Sequence, residues 1–282
     1  MSGRDDTPSR YRRVVLDLPP REVDRLVLQA AAELARFLDA ELHAVFVEDP
    51  ALAALADLPF ARELRLPTHE WAPMTGARLA DEMRLAVSRA RRDLDTLRAV
   101  AGVRGTTEIH KGDPASLLAT ICEATDIVVV PPPRQPVERA MGLHARRSLA
   151  VYHCVASVMV LPSTLPARHG PIAVVVRSVD DESLAVAARI AARAGEDLVV
   201  LAPPELHMAD IQAAVSMRVG ARVRTKALAG QTGADVLMAL RGLSARLLVL
   251  TRGTALPDTD STLREIVEGG SVPVLALEPT PL

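Results

Sequence analysis

Hydrophobic and polar positions along this chain fall into the same succession twice. Short β-branched runs alternate with longer stretches whose apolar residues recur every three or four positions, the pattern of βαβ units. The first series runs over 14–16, 23–38, 41–47, 112–123, 126–130 and 157–161. The second runs over 172–176, 182–194, 197–201, 230–240, 246–250 and 272–277. Each series reads as strand, helix, strand, Gly-led helix, strand and closing strand. Runs such as Ile127-Val128-Val129-Val130 are apolar without alternation, which suits strands covered by helices on both faces of a parallel sheet. The expected fold is α/β, with two tandem doubly wound parallel-sheet domains.

At 282 residues the chain is long enough for two domains, each able to bury a core. Two prolines and a glycine break the apolar pattern between Pro162 and Gly170. This places domain 1 at 11–162 and domain 2 at 170–282. The first is enlarged by an insertion, 49–76, carrying Pro50, Pro59, Pro67, Pro73, Phe60 and the sole tryptophan, Trp71. Two readings of it stand open: a lid over a pocket, or a loop whose aromatics anchor it to the body.

Composition removes several function classes. A net charge of −2 and a pI near 6.4 lack the basic field of a nucleic-acid binder, and aromatics at 2 % leave no stacking platform. No apolar stretch approaches the ~18 residues of a membrane span, and the segment from Met1 to Arg13 is polar, so a cytoplasmic protein without membrane insertion is expected. Cys122 and Cys154 sit in apolar segments without Cys-x-x-Cys spacing and read as buried thiols. His144, His153 and Cys154 lie out of phase for a shared metal, and no nucleophile elbow is present. No metal and no catalytic residue is assigned.

Several segments resemble the universal stress protein family. They are Ala30 to Val47, Ala187 to Leu201, the Gly112-Asp113-Pro114-Ala115 turn leading to Asp126-Ile-Val-Val-Val130, and the closing stretches from His153 to Pro162 and from Gly270 to Pro279. The resemblance implies a Rossmann-like domain in tandem. Closing strands that pair in the family would here pair within one chain, giving a monomeric pseudo-dimer, with a homodimer as the other state.

Nucleotide-binding members of that family carry Gly, two residues, Gly, nine residues, Gly and then Ser or Thr after the fourth strand. In the first half Pro131, Arg134, His144 and Ala145 stand at those places. The Pro131-Pro132-Pro133 run fixes φ and removes the amide donors that such a loop directs at phosphate. In the second half Thr251-Arg252-Gly253 follows the fourth strand, and Ser261-Thr262 opens the next helix at a spacing several residues too short. Ser261 and Thr262 read either as that helix's cap or as an anion contact, and Arg252 as a phosphate partner or a solvated strand end. The family's first-strand Asp has its nearest match in Asp17, about two residues early, while the second half has Val176-Arg177 there and Asp180-Asp181 in the loop.

The leading expectation is a non-catalytic, degenerate stress-response protein of regulatory or scaffolding type, bacterial in character, with no cofactor and an unidentified protein partner. The Arg-rich helix expected over 77–99 offers a charged face for docking. The alternative is an ATP or AMP sensor, with weak hydrolysis, using Asp17, Thr251, Arg252, Gly253, Ser261 and Thr262. A third possibility is a small apolar ligand held near Trp71 and the interior between the repeats.

Overall fold

A computed structural model describes residues 9–18, 24–48, 50, 54, 56–65, 69–132, 154–163, 169–216, 222–230, 232–253 and 259–279. In chain order the first half contains β1 (Arg13–Leu18), α1 (Arg25–Leu38), β2 (Glu41–Glu48), β3 (Arg62–Arg65), β4 (Glu70–Pro73), α2 (Gly76–Ala101), β5 (Thr107–Lys111), α3 (Pro114–Ile121), β6 (Asp126–Val130) and β7 (Ser157–Val160). The second contains β8 (Ile172–Val175), α4 (Glu182–Ala194), β9 (Leu198–Ala202), α5 (Met208–Ser216), β10 (Val223–Ala227), α6 (Gly233–Leu240), β11 (Leu247–Thr251), α7 (Thr259–Gly270) and β12 (Val274–Leu277).

The paired strands form one ten-stranded sheet in the order β10-β9-β8-β11-β12-β7-β6-β1-β2-β5. Within each half the strands are parallel and ordered third, second, first, fourth, fifth. The halves meet where β12 runs antiparallel to β7, with Val274 opposite Val160, Leu275 opposite Met159 and Ala276 opposite Val158. The closing strands therefore pair within the chain. Because that pair is antiparallel, the carboxyl ends of β8, β11 and β12 share one edge of the sheet with the amino ends of β1, β6 and β7.

The same local chemistry starts and stops the equivalent helices. Asp24 caps α1 by accepting from the Leu26 amide at 2.9 Å, and Asp181 caps α4 by accepting from the Ser183 amide at 3.0 Å. Left-handed residues end both, Asp39 at φ 55° and Gly195 at φ 69°. Each helix buries an apolar stripe, Leu28, Ala31, Ala35 and Leu38 in α1 and Leu184, Ala187, Ala188 and Ala191 in α4. Full burial of a Leu, Ile or Phe side chain stabilises by roughly 1.5–3 kcal/mol. The two helices pack on each other across the seam. Arg246 reinforces them, pairing with Glu33 at 2.6 Å and lying 5.2 Å over the Phe37 ring. On the opposite face Leu118, Cys122, Val236, Leu263 and Ile266 form the second core.

Several expectations are corrected. The third strand of each half, β5 and β10, is mainly polar and falls outside the strands that the apolar runs predict. His110 lies inside β5. The helix expected to open at Gly112 begins at Pro114 with Asp113 as its cap. Among its described residues the insertion contains the antiparallel pair β3 and β4, and its aromatics do not anchor it: Phe60 is 76 % and Trp71 62 % exposed. The Arg-rich helix spans Gly76–Ala101 and is held at its far end by Arg98, which donates to the carbonyls of Leu42 (2.9 Å) and Thr106. Gly105 lets β5 close on β2, since a Cβ there would lie 1.8 Å from the Leu42 carbonyl oxygen.

Candidate functional site

In an open parallel sheet, ligands bind beyond the carboxyl ends of the strands where the order reverses. In the second half that point lies between β8 and β11. Thr251 ends β11, is buried, and donates from Oγ1 to Asp181 Oδ1 at 2.7 Å. The same carboxylate oxygen accepts from the Ser183 amide, and the Ser183 hydroxyl lies 2.8 Å from it and 3.2 Å from the Val175 carbonyl. The α4 cap and the end of β11 are thus tied together across the switch point. Replacing Thr251 with valine is expected to cost about 1 kcal/mol, because the half-buried Asp181 oxygen loses one of its three donors. Urea unfolding measures this, and an unchanged midpoint would show that the bond contributes nothing.

Arg252 is not a solvated strand end. Its Nη1 lies 2.7 Å from the Glu278 carboxylate and donates to the Ala156 carbonyl at 3.4 Å, with the side chain 14 % exposed. Gly253 follows at φ 71°, a left-handed turn that suits glycine. The α7 helix begins at Thr259, so Ser261 and Thr262 lie inside its first turns rather than at its cap. Thr262 is buried, and its methyl lies 3.2 Å from where a Cβ on Gly233 of α6 would stand. It packs against α6. The Ser261 side chain lies outside the described residues.

Asp17 is 5 % exposed at the carboxyl end of β1. It belongs to the other half, so it does not join the Thr251 group. It shares a face with Val15 and lies near Cys122, whose thiol is pushed up to about 12 by burial first and then by the charges of Cys154, Asp126 and Asp17. Burial likewise raises the Cys154 thiol. Such thiols are poor nucleophiles at neutral pH. Pro131 and Pro132 follow β6, whereas Pro133, Arg134, His144, Ala145 and His153 lie outside the described residues.

The pairing of the closing strands is expected from the sequence, but the side-chain contacts across that seam are not. Tyr11 is 2 % exposed and its hydroxyl lies 3.1 Å from Ser157 Oγ; the Glu278 amide donates to that same Oγ at 2.9 Å. Arg10 crosses from the segment before β1 to Glu182 at the start of α4 and to the Glu278 carbonyl at 2.7 Å. These partners stand 172 and 268 positions apart along the chain, so no local pattern announces them.

A cavity of about 540 Å³ lies elsewhere, at the amino ends of the second half's strands, lined by Gly170, Glu196, Asp197, Arg224, Lys226 and Gly242 among others. Its cations are engaged: Arg224 with Asp197, and Lys226 with the Ala239 carbonyl at 2.6 Å. Among the described residues no group of three or more His, Cys, Asp or Glu is placed to hold a metal ion, and no helix is long and apolar enough to cross a membrane.

No family model and no curated protein matches the chain in sequence. In structure it is similar to a universal stress protein from Archaeoglobus fulgidus DSM 4304, with a TM-score of 0.64 and 14 % identity over 96 % of this chain and 98 % of that one. It is also similar to a functionally unknown protein from Pseudomonas aeruginosa PAO1, with a TM-score of 0.55 and 16 % identity over 95 % and 93 % of the two chains. The tandem α/β architecture is therefore one that a universal stress protein adopts over nearly its whole length.

Proposed function

We propose that this chain, which has the fold of a tandem universal stress protein, is a non-catalytic regulatory or scaffolding protein that works through protein contacts. Its domains are 11–162 and 170–282, it works in the cytoplasm, and the halves act as an intramolecular pseudo-dimer. The observation that carries this reading is that the polar groups at the second half's switch point satisfy one another. Thr251 is bonded to Asp181 and Arg252 to Glu278. A nucleotide would have to displace both. In the first half Pro131 and Pro132 follow the fourth strand and offer no amide donors. The surface suited to a partner is α2, where Arg84, Arg89, Arg91 and Arg92 are exposed.

Thermal unfolding with a few millimolar ATP, ADP or AMP tests the reading, since a ligand of the native state raises the midpoint by mass action. No shift is expected. A rise abolished by Arg252→Ala together with Ser261→Ala would overturn it in favour of an adenine-nucleotide sensor in the second half. The left-handed turn at Gly253 is the feature that favours that rival.

A further inference from the structure

The outward face of α2 divides by charge along its length. Its inward side is marked by Ala90 and Leu94, which are buried. On the opposite side, at the three- and four-residue spacing of a single helical face, stand Asp81, Glu82, Leu85, Ser88, Arg89 and Arg92, all exposed. The acids come first and the arginines last, with Leu85, 58 % exposed, between them. Asp81 pairs with Arg84 and Glu82 with Arg78 inside the helix, surface contacts that contribute little. Among the described residues neither Arg89 nor Arg92 has a carboxylate partner; Arg92 donates to the Ser88 carbonyl of its own helix at 3.2 Å. Each end of the helix also carries exposed apolar surface. The insertion is tied to the first turn, by Glu63 to Arg78 at 3.0 Å and by Asp57, which accepts from the Gly76 amide at 3.0 Å, and it brings the exposed Phe60 and Trp71 to that end. At the far end Val100 is 82 % exposed.

We propose, resting on the reading that this chain works through protein contacts at α2, that the partner is a second copy of the same chain, joined through antiparallel α2 helices in a symmetric dimer. A two-fold axis crossing the helix between Leu85 and Ser88 sets Asp81 of one copy against Arg92 of the other and Glu82 against Arg89, and symmetry repeats both pairs. Leu85 of each copy lies at the centre. A parallel arrangement would put acid against acid and arginine against arginine, so charge alone selects the antiparallel one. The helix has 26 residues and is about 39 Å long. Running antiparallel over that length, it carries Val100 of each copy to the end where the other exposes Phe60 and Trp71. Aromatic side chains bury roughly 150–250 Å² each. Covering these two with Leu85, Val100 and the charged stripe approaches the roughly 800 Å² per partner of a stable interface. The joint of β7 and β12 stays within each copy.

Sedimentation of the full chain at about 50 μM is expected to give twice the 30.2 kDa of one copy, and a monomer at that concentration overturns the proposal. Arg89→Glu with Arg92→Glu makes the stripe wholly acidic, and Asp81→Arg with Glu82→Arg makes it wholly basic. Each variant alone should associate about a hundredfold more weakly, because like charges then face each other. Mixing the two variants should restore a dimer containing one of each, an outcome that misfolding of either cannot produce. Variants that stay dimeric on their own, or a mixture that stays monomeric, overturn the proposal. The nucleotide measurement is separate. A monomeric chain whose midpoint ATP leaves unmoved loses the dimer and keeps the protein-contact reading, whereas a nucleotide-induced rise overturns that reading and leaves the dimer standing.

Discussion

Asp126→Ala is expected to cost about 2–3 kcal/mol of stability, since the buried carboxylate's charge-assisted bonds are lost while the Arg13 left behind is partly solvated. The Asp126 side chain has no solvent exposure, and it holds the Arg13 guanidinium by two bonds, 2.9 and 2.6 Å. It also accepts from the Glu123 amide at 2.8 Å. Arg13 and Asp126 stand opposite each other where β1 and β6 begin their pairing, so the contact fixes the register of two central strands. The Asp126 carboxylate raises the Arg13 pKa chiefly through this hydrogen bonding. Urea unfolding should show a lower midpoint with an unchanged denaturant slope. A loss below about 1 kcal/mol would mean that water replaces the carboxylate without cost at this site.

The second large effect is alkaline. Burial pushes the Tyr11 phenol from its ordinary 10.0 up to about 12, and the Cys122 thiol from 9.0 up to about 12. Folding thus favours the neutral form of both groups. Their contribution is complete below the unfolded values and is lost as pH rises from about 9 to about 12, where the unfolded chain ionises and the folded chain does not. Each tenfold change in proton affinity corresponds to about 1.4 kcal/mol, so the loss across the window amounts to several kcal/mol. Thermal midpoints recorded from neutral pH upward should fall steeply through that window. The fall should be shallower in Tyr11→Phe and in Cys122→Ala. Equal slopes in both variants and the unchanged chain would assign the alkaline loss to other groups.

The central strands are legible in the sequence because burial on both faces leaves an apolar run with no polar interruption, as in Ile127 to Val130 and Ile172 to Val175. The edge strands are not, for the opposite reason. Thr107-Glu-Ile-His-Lys111 and Val223-Arg-Thr-Lys-Ala227 border solvent and carry charged residues, which is how a sheet edge avoids pairing with other chains. The hairpin is obscured by its prolines and its exposed aromatics.

At the candidate site, residue type is readable and partnership is not. Arg252 stands out as a cation after a fourth strand, but Glu278 lies beyond a further helix and strand, and Ala156 lies across the seam. Thr251 reads as part of a turn, whereas its work is to hold the Asp181 cap 70 positions away. Thr262 draws notice through its place beside Ser261, and only the packing of α7 on α6 shows that it faces inward.

The antiparallel joint of β7 and β12 has one more consequence. In a pair of identical subunits every substitution appears twice, related by symmetry, so the two sides of the joint cannot specialise separately. Here a single change alters one side alone. The chain has three consecutive prolines after β6 and a glycine turn after β11, a difference between the halves that no symmetric assembly of one repeat can encode.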